Sequence, residues 1–354
     1  MSNNPKVSVL MAVSGNLTYL QGLTYLRGSI ESILNQTFKD FELIIVTERD
    51  ASVETDLIIA CYDDRRIRHI QNPAPPGIVG SLNAGLQVAR GEYVARMDAD
   101  DVCSVERFER QVRFLDERQD VGIVGTSFNI IDGDGVIVSS HSRPSEVALT
   151  KWRLLFGYTV VQPSVMMRTN MLRKLGGYSS RFLHVEDYDL WMRASRITGI
   201  VNLPDLLLGW RTHPPGGVSR MQFLEARLNS AVEISKEAME DLLSCEIATE
   251  TVKALTVDSR GNEWESAKVL HRLCMKYIDM ENLSRKEEID VRSDAAKRMN
   301  VPLLRSIKHH PLLALRICLL IARTRCRMLP RILAFNLKRT WIPWIQRIIK
   351  NGLA

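Results

Sequence analysis

What this chain is short of narrows it first. Its 354 residues hold six cysteines, Cys61, Cys103, Cys245, Cys274, Cys318 and Cys326, scattered with no C-x-x-C pair and no histidine cluster beside them. That spacing argues against a zinc ribbon and against a secreted disulfide framework. Glycine (20) and proline (13) sit at ordinary levels, which excludes collagen-like and low-complexity classes. No charged and then apolar leader precedes the first strand-like stretch, because Met1-Ser-Asn-Asn-Pro-Lys6 runs straight into it. The expectation is free thiols in a reducing cytoplasm.

Acid is the other absence, and it is local. From Val301 onward there are 11 Lys/Arg and no Asp or Glu, although the whole chain carries only +6. The remaining 300 residues therefore hold 36 basic and 41 acidic side chains, so basicity belongs to the tail. A body of that balance is no obvious nucleic-acid binder, and no aromatic stacking platform accompanies the tail's charge. At 45% hydrophobic and 25% charged residues, the chain reads as globular and long enough for two units.

The first 130 residues alternate two periodicities. Lys6–Ala12 and Phe41–Thr47 are short apolar runs of the kind parallel strands bury, and Ile67–Gln71 and Tyr93–Met97 read as a third and a fourth short strand. Leu26, Ile30, Ile33 and Leu34 recur at helical spacing between the first two, and Val79–Ala89 reads as a helix ended by Gly91. Such βαβ alternation predicts an α/β sheet with helices on both faces. Val105–Leu115 reads as an amphipathic helix, and Val121–Ile137 carries the turn signals Asp132-Gly133 and Asp134-Gly135. Beyond about Ser219 the strand-like runs stop, and Phe223–Lys276 reads as helix throughout.

Three places carry chemistry. Met97-Asp98-Ala99-Asp100-Asp101 directly follows an apolar strand, where open α/β sheets put their ligands. Carboxylates crowded there call for a hard divalent cation, Mg²⁺ or Mn²⁺, with Asp101 alternatively capping the next helix. Val185-Glu186-Asp187-Tyr188-Asp189 opens a helix, whose dipole would keep a carboxylate ionised near neutrality and ready to act as a general base. Trp210-Arg211-Thr212-His213 leads into a Pro- and Gly-rich loop ending at Ser219, with His213 a candidate metal ligand and Arg211 or Arg220 available for phosphate.

In this order, the features resemble the family 2 glycosyltransferases of the GT-A fold, over roughly Pro5 to Ser219. The carriers are Lys6–Leu10, Ser32–Phe38, Phe41–Val46, Leu82-Asn-Ala-Gly85, Ala89–Val94, Arg96–Asp101, Arg107–Gln111, Leu175–Tyr178 and Glu186–Trp191. The resemblance implies a Rossmann-like mixed sheet and transfer of a sugar, with inversion, from a nucleoside-diphosphate donor to an acceptor hydroxyl. By that likeness Asp98 contacts the nucleotide and Asp100 binds the metal, with His213 completing the metal or diphosphate site. Asp187 deprotonates the acceptor, Glu186 shapes its pocket, and the Ser219 loop closes over the donor. Val13, Glu48, Asn83 and Arg211 fall with the donor-binding residues. Two departures from the family's pattern leave the base open among uridine, the first expectation, thymidine and guanosine. Val46 is followed by Thr47-Glu48-Arg49-Asp50 where the family usually has paired Asp then Gly-Ser, and Ala12-Val13-Ser14-Gly15 replaces Pro-Val-Tyr-Asn.

The expected organisation is a catalytic domain over 1–220, its nucleotide-sugar side at about 5–130 and acceptor side at about 131–220. A helical extension follows over 221–300, then a basic amphipathic tail over 301–354. In that tail Arg316, Arg323 and Arg327 share one helical face, while Leu312, Leu315, Leu319 and Leu320 lie toward another. Stretches without Lys or Arg there reach about seven residues, far from the ~18–20 that span a bilayer. The pattern suits an anionic membrane surface, with Trp341 and Trp344 at headgroup level. A peripheral place at the inner face of the cell membrane, and a glycan or lipid-linked glycan acceptor, are the matching expectations. A sugar-phosphate nucleotidyltransferase would want a Gly-rich, basic phosphate loop that Ser14-Gly15-Asn16 does not supply. A catalytically inactive sugar- or lipid-binding scaffold would not need Asp98, Asp100, Asp187 and His213 all present.

Overall fold

A computed structural model describes residues 4–13, 20–49, 51–182, 184–212, 218–257, 261–307 and 310–324. Its first compact unit comprises residues 1–154 and 158–231, and its second comprises 155–157 and 232–354. The boundary differs from the one expected at 220, because the helix Val218–Leu243 runs through it. Among the described residues, Arg285–Ile307 form one helix that continues across position 301.

The first unit is built on a nine-stranded mixed sheet. Strands β1 (Val7–Val13), β2 (Phe41–Thr47), β3 (Ile67–Gln71) and β4 (Tyr93–Asp98) are parallel, with β1 central between β2 and β4. Their register aligns Val13 with Thr47 and Ala12 with Asp98, so the carboxyl ends of three strands reach one edge together. Strand β2 is buried along its whole length, which explains an apolar run in place of an alternating one. Helices α1 (Leu20–Leu34), α2 (Val53–Ala60) and α3 (Ile78–Val88) are the crossovers between these strands. On α1 the helically spaced Leu26, Ile30 and Ile33 are fully buried in the core.

Beyond β4 the sheet changes direction. A short β5 (Val102–Cys103) and helix α4 (Arg107–Glu117) precede the hairpin of β6 (Val121–Ile131) and β7 (Ile137–His141). Helix α5 (Val147–Leu154) then leads to β8 (Met166–Arg168), which lies antiparallel between β4 and β6. Helices α6 (Thr169–Lys174) and α7 (Glu186–Ser195) precede the long β9 (Gly199–Arg211), parallel to β6 and also paired to β5. The need for glycine at position 91 is steric. A Cβ there would lie 2.5 Å from the Ser8 nitrogen, while the Gly91 N–H donates to Ser8 Oγ at 2.8 Å.

The run read as one long helix is three: α8 (Val218–Leu243), α9 (Thr249–Thr256) and α10 (Glu263–Met280). Ser244, at φ 51°, takes the left-handed conformation that stops α8, and the Asn262 side chain caps the start of α10. Helix α11 (Arg285–Ile307) begins with a reciprocal cap, in which the Ser284 N–H donates to Glu287 Oε2 at 2.9 Å and the Glu287 N–H to Ser284 Oγ at 3.4 Å. Helix α12 (Pro311–Thr324) overturns the expected separation of its faces. Ala314, Ile317, Leu320 and Ile321 are buried, whereas Leu312, Leu315 and Leu319 are exposed beside the exposed Arg316 and Arg323. Arg327, Trp341 and Trp344 lie outside the described residues. Ile317→Ala should therefore cost about 2–4 kcal/mol in chemical denaturation, against under about 0.5 kcal/mol for Leu315→Ala.

Candidate functional site

The carboxyl end of β4 delivers Asp98, Asp100 and Asp101, whose oxygens lie within 4.8 Å of one another. Mutual repulsion and burial push the Asp98 and Asp101 carboxyls up, burial being the larger cause for both. Three guanidiniums hold this arrangement together. Arg96 is 1% exposed; its Nη2 donates to Asp98 Oδ1 at 2.5 Å, and its Nη1 donates to the Met97 carbonyl. Arg107, fully buried, donates to the carbonyls of Arg96 at 2.8 Å and Val165 at 3.2 Å.

Arg211 is the third, and its task differs from the expected phosphate contact. Its Nε donates to the Asp100 carbonyl at 2.8 Å and its Nη1 to the carbonyls of Asp132 and Gly133 at 2.7 and 3.0 Å. Buried and stacked over Tyr25, it fastens the acidic loop to the β6–β7 turn. Asp101 is no helix cap either. Its Oδ1 accepts the Arg211 N–H at 2.8 Å, while Glu106 precedes α4 without any side-chain cap. The other oxygen, Oδ2, is buried with no hydrogen-bond partner among the described residues.

Other residues expected at the donor site already have partners within the protein. Glu48 is buried and accepts from Asn72 Nδ2 at 3.1 Å, from the Gly77 N–H at 3.2 Å and from Ser81 Oγ at 2.5 Å. It organises the turn before α3, and its lone pairs are largely spent there. Asn83 donates to the Tyr178 carbonyl at 2.8 Å and accepts the Tyr178 N–H at 2.9 Å, clamping α3 to the Gly176-Gly177 turn. Val13 packs into the core, so its side chain can offer only an apolar wall. His213 lies outside the described residues. Ser219 falls in the first turn of α8, where side chains are likewise outside them.

The second acidic motif behaves differently from its expectation. Glu186, Asp187 and Asp189 do open α7, with Leu190 and Met192 buried behind them. Burial, and then the neighbouring Glu186 charge, push the Asp187 carboxyl up to about 7. Desolvation has outweighed the helix dipole and the Tyr188 N–H that Asp187 Oδ1 accepts at 2.8 Å. Asp189 is committed elsewhere, since it pairs at 2.8 Å with Arg193, which also donates to the Leu175 and Gly177 carbonyls. His184, just before the helix, is held at φ 63°.

One cavity of about 480 Å³ joins the two motifs, lined by Asp98, Glu186 and Asp187 together with Tyr158, Trp210 and Arg227 among others. A more open depression of about 880 Å³ lies at the opposite strand ends, where Asp64–Arg66 and Glu42–Arg90 are already paired. Sequence reasoning did not single out Arg96, Arg107 or Tyr158 for the site. An arginine inside the apolar run Tyr93–Met97 was the available signal, because a charged side chain enters a buried strand only to serve a partner.

Residues 17–176 match the model of the family described as Glycosyl transferase family 2. The chain is 30% identical over 246 residues to the O-antigen biosynthesis glycosyltransferase WbnJ of Escherichia coli, covering 68% of this chain and 93% of that protein. It is 38% identical over 204 residues to the putative glycosyltransferase EpsE of Bacillus subtilis, covering 54% of this chain and 68% of the relative. A match to an uncharacterized glycosyltransferase of Methanocaldococcus jannaschii, 34% identical over 195 residues, spans 65% of that protein. Among solved structures, Staphylococcus aureus TarS 1–349 in complex with UDP-GlcNAc is similar with a TM-score of 0.52 at 17% identity, covering 90% of this chain and 89% of that one. That likeness carries the GT-A fold.

A buried carboxyl that titrates near 7 binds a proton in the folded state that the unfolded chain releases around pH 4. Its contribution to stability is therefore present below about pH 4 and lost as the pH rises through about 7. Asp187→Asn should leave stability unchanged at pH 4 and raise it by about 1–3 kcal/mol at pH 8, read from melting curves at both pH values.

Proposed function

Because the chain belongs to glycosyl transferase family 2, we propose that it is an inverting, metal-dependent enzyme that moves a sugar from a nucleoside-diphosphate donor onto an acceptor hydroxyl. One observation carries this reading: a single cavity brings the acidic loop of β4 and the carboxyl of Asp187 together. Asp98 and Asp100 are the candidate ligands for Mg²⁺ or Mn²⁺, with His213 a further candidate. The donor set suits a hard cation, being all carboxylate, and the buried unpartnered Asp101 Oδ2 leaves an oxygen available nearby. A bound divalent ion would neutralise the charge that develops on the leaving diphosphate. The chain's own residues do the rest. Arg96, Arg107 and Arg211 fix the acidic loop in place, so it needs no reorganisation during reaction.

Asp187 takes the proton from the acceptor hydroxyl, and a carboxyl titrating near 7 is well matched to that task at neutral pH. Asp189 is excluded from the role by its ion pair with Arg193. Uridine is the first base to test, and a glycan or lipid-linked glycan of surface-polysaccharide assembly is the acceptor that similarity to WbnJ favours. An inner-face, peripheral location fits the exposed Leu312, Leu315 and Leu319 beside Arg316 and Arg323. Among the described residues no helix is long and apolar enough to cross a membrane.

Hydrolysis and transfer assays with a panel of nucleotide sugars and Mn²⁺ test the reading directly, and turnover with no member of the panel would refute it. Asp100→Ala should abolish transfer and metal-dependent nucleotide binding while leaving the melting temperature nearly unchanged. Turnover that persists in that variant with chelator present would remove the metal from the scheme. In Asp187→Asn, kcat should fall by about 10²–10⁴ with donor affinity preserved, and the wild-type rate should rise with pH through about 7 as the base ionises. Removing residues after Thr324 should cut binding to anionic vesicles, and added salt should weaken the wild-type binding, since screening shortens electrostatic reach.

A further inference from the structure

The walls of the 480 Å³ cavity are not electrically uniform. Besides the acids, Arg143 and Arg227 line the cavity, and neither makes a salt bridge within 4 Å among the described residues. Arg143 stacks its guanidinium 5.2 Å from the Phe128 ring centroid, and its backbone N–H donates to Ser127 Oγ at 3.2 Å. Its Nε is buried with no partner, and so is Gln162 Nε2, on a residue that lines the same cavity. Tyr158, by contrast, already interacts with Asp187 and Arg227. Both orphaned atoms can donate a hydrogen bond, and the carboxylates that line the cavity leave them unanswered. Burying a donor without an acceptor costs about 1–3 kcal/mol in general, so two of them on one cavity mark a binding surface that awaits oxygen. Arg227 sits with its guanidinium 5.3 Å over the Tyr158 ring and within electrostatic reach of Asp187, which places this donor wall on the base's side of the cavity.

We propose, building on the transferase reading above, that the acceptor carries a carboxylate or phosphate close to the hydroxyl that receives the sugar. Arg143 binds that anion through its planar fork, Gln162 Nε2 adds a further donor to its oxygens, and Arg227 draws it in at the rim. The fork matches either group bidentately. An uncharged acceptor would leave the Arg143 charge desolvated and unanswered, so the wall discriminates against neutral sugars as well as for anionic ones.

The test uses the full-length protein with UDP and matched small probes in gluco, galacto and manno series: methyl glycosides, methyl uronides and sugar 1-phosphates. Saturation-transfer NMR and competition give dissociation constants without requiring turnover. Anionic probes should bind at least about tenfold tighter than their neutral counterparts. Arg143→Gln should erase that preference, and Arg143→Lys should keep part of it by retaining charge without the fork. Melting curves of both variants confirm that they are folded. A preference confined to uronides assigns the anion to a sugar carboxylate; one confined to 1-phosphates assigns it to the phosphate linking a glycan to its carrier. Equal binding of neutral and anionic probes, no binding of any anionic probe, or a preference untouched in Arg143→Gln would overturn the proposal. Donor hydrolysis by the wild-type protein, measured alongside, reports on the transferase reading alone.

Discussion

Three carboxylates within 4.8 Å of one another at a strand end are the constraint around which the first unit is arranged. At that separation, and at an effective dielectric of about 20, each like-charged pair repels by roughly 3 kcal/mol. Nothing in a buried strand end would tolerate that unaided. Arg96 inside β4, Arg107 at the head of α4 and Arg211 at the end of β9 come from three separate elements to the same loop. Two of them spend their donors mainly on backbone carbonyls, so the loop is fixed largely by its main chain. The long β9 and the β6–β7 hairpin are thereby tied to the acidic loop as parts of one device.

The same economy separates residues that look alike in the sequence. Asp187 and Asp189 lie in one helical turn, yet one is held by desolvation at the edge of ionisation while the other is neutralised by Arg193. Identity and helix position were equal for both; the environment assigned the roles. Glu48 and Asn83 make the complementary point. Each sits near the strand ends where a donor would bind, and each is used up by local backbone N–H groups or carbonyls. Positions near a site divide into those that touch a ligand and those that build the walls.

The second unit follows a simpler logic. Helix α12 buries Ala314, Ile317, Leu320 and Ile321 and leaves Leu312, Leu315 and Leu319 exposed beside Arg316 and Arg323. Exposed apolar surface interleaved with positive charge is poorly explained by packing alone. It suits attachment to an interface where the leucines leave water and the arginines meet anionic groups.

Much of the fold was legible because it depends on short-range pattern. Apolar runs marked β1 and β2, short strand-like stretches marked β3 and β4, helical spacing marked α1, and Asp-Gly pairs marked the turn between β6 and β7. The two acidic motifs were legible as well, since charge placed against an apolar strand or at a helix start is a local signal. The single long helix expected after Ser219 was not, because Ser244 ends α8 through a backbone conformation that residue identity barely encodes. Nor could spacing tell which side of α12 faces inward, as both sides carry leucine or isoleucine and only the neighbouring α10 and α11 decide. The sequence by itself determined the strand order's beginnings, the presence of clustered carboxylates and the basic end of the chain. Only the tertiary structure decided that Asp187 would be desolvated, that Arg211 would hold a loop, and that Arg143, Tyr158 and Gln162 would converge on one cavity. Those outcomes rest on distances between residues far apart in the chain, and burial and Coulomb energy are functions of such distances, not of position along the sequence.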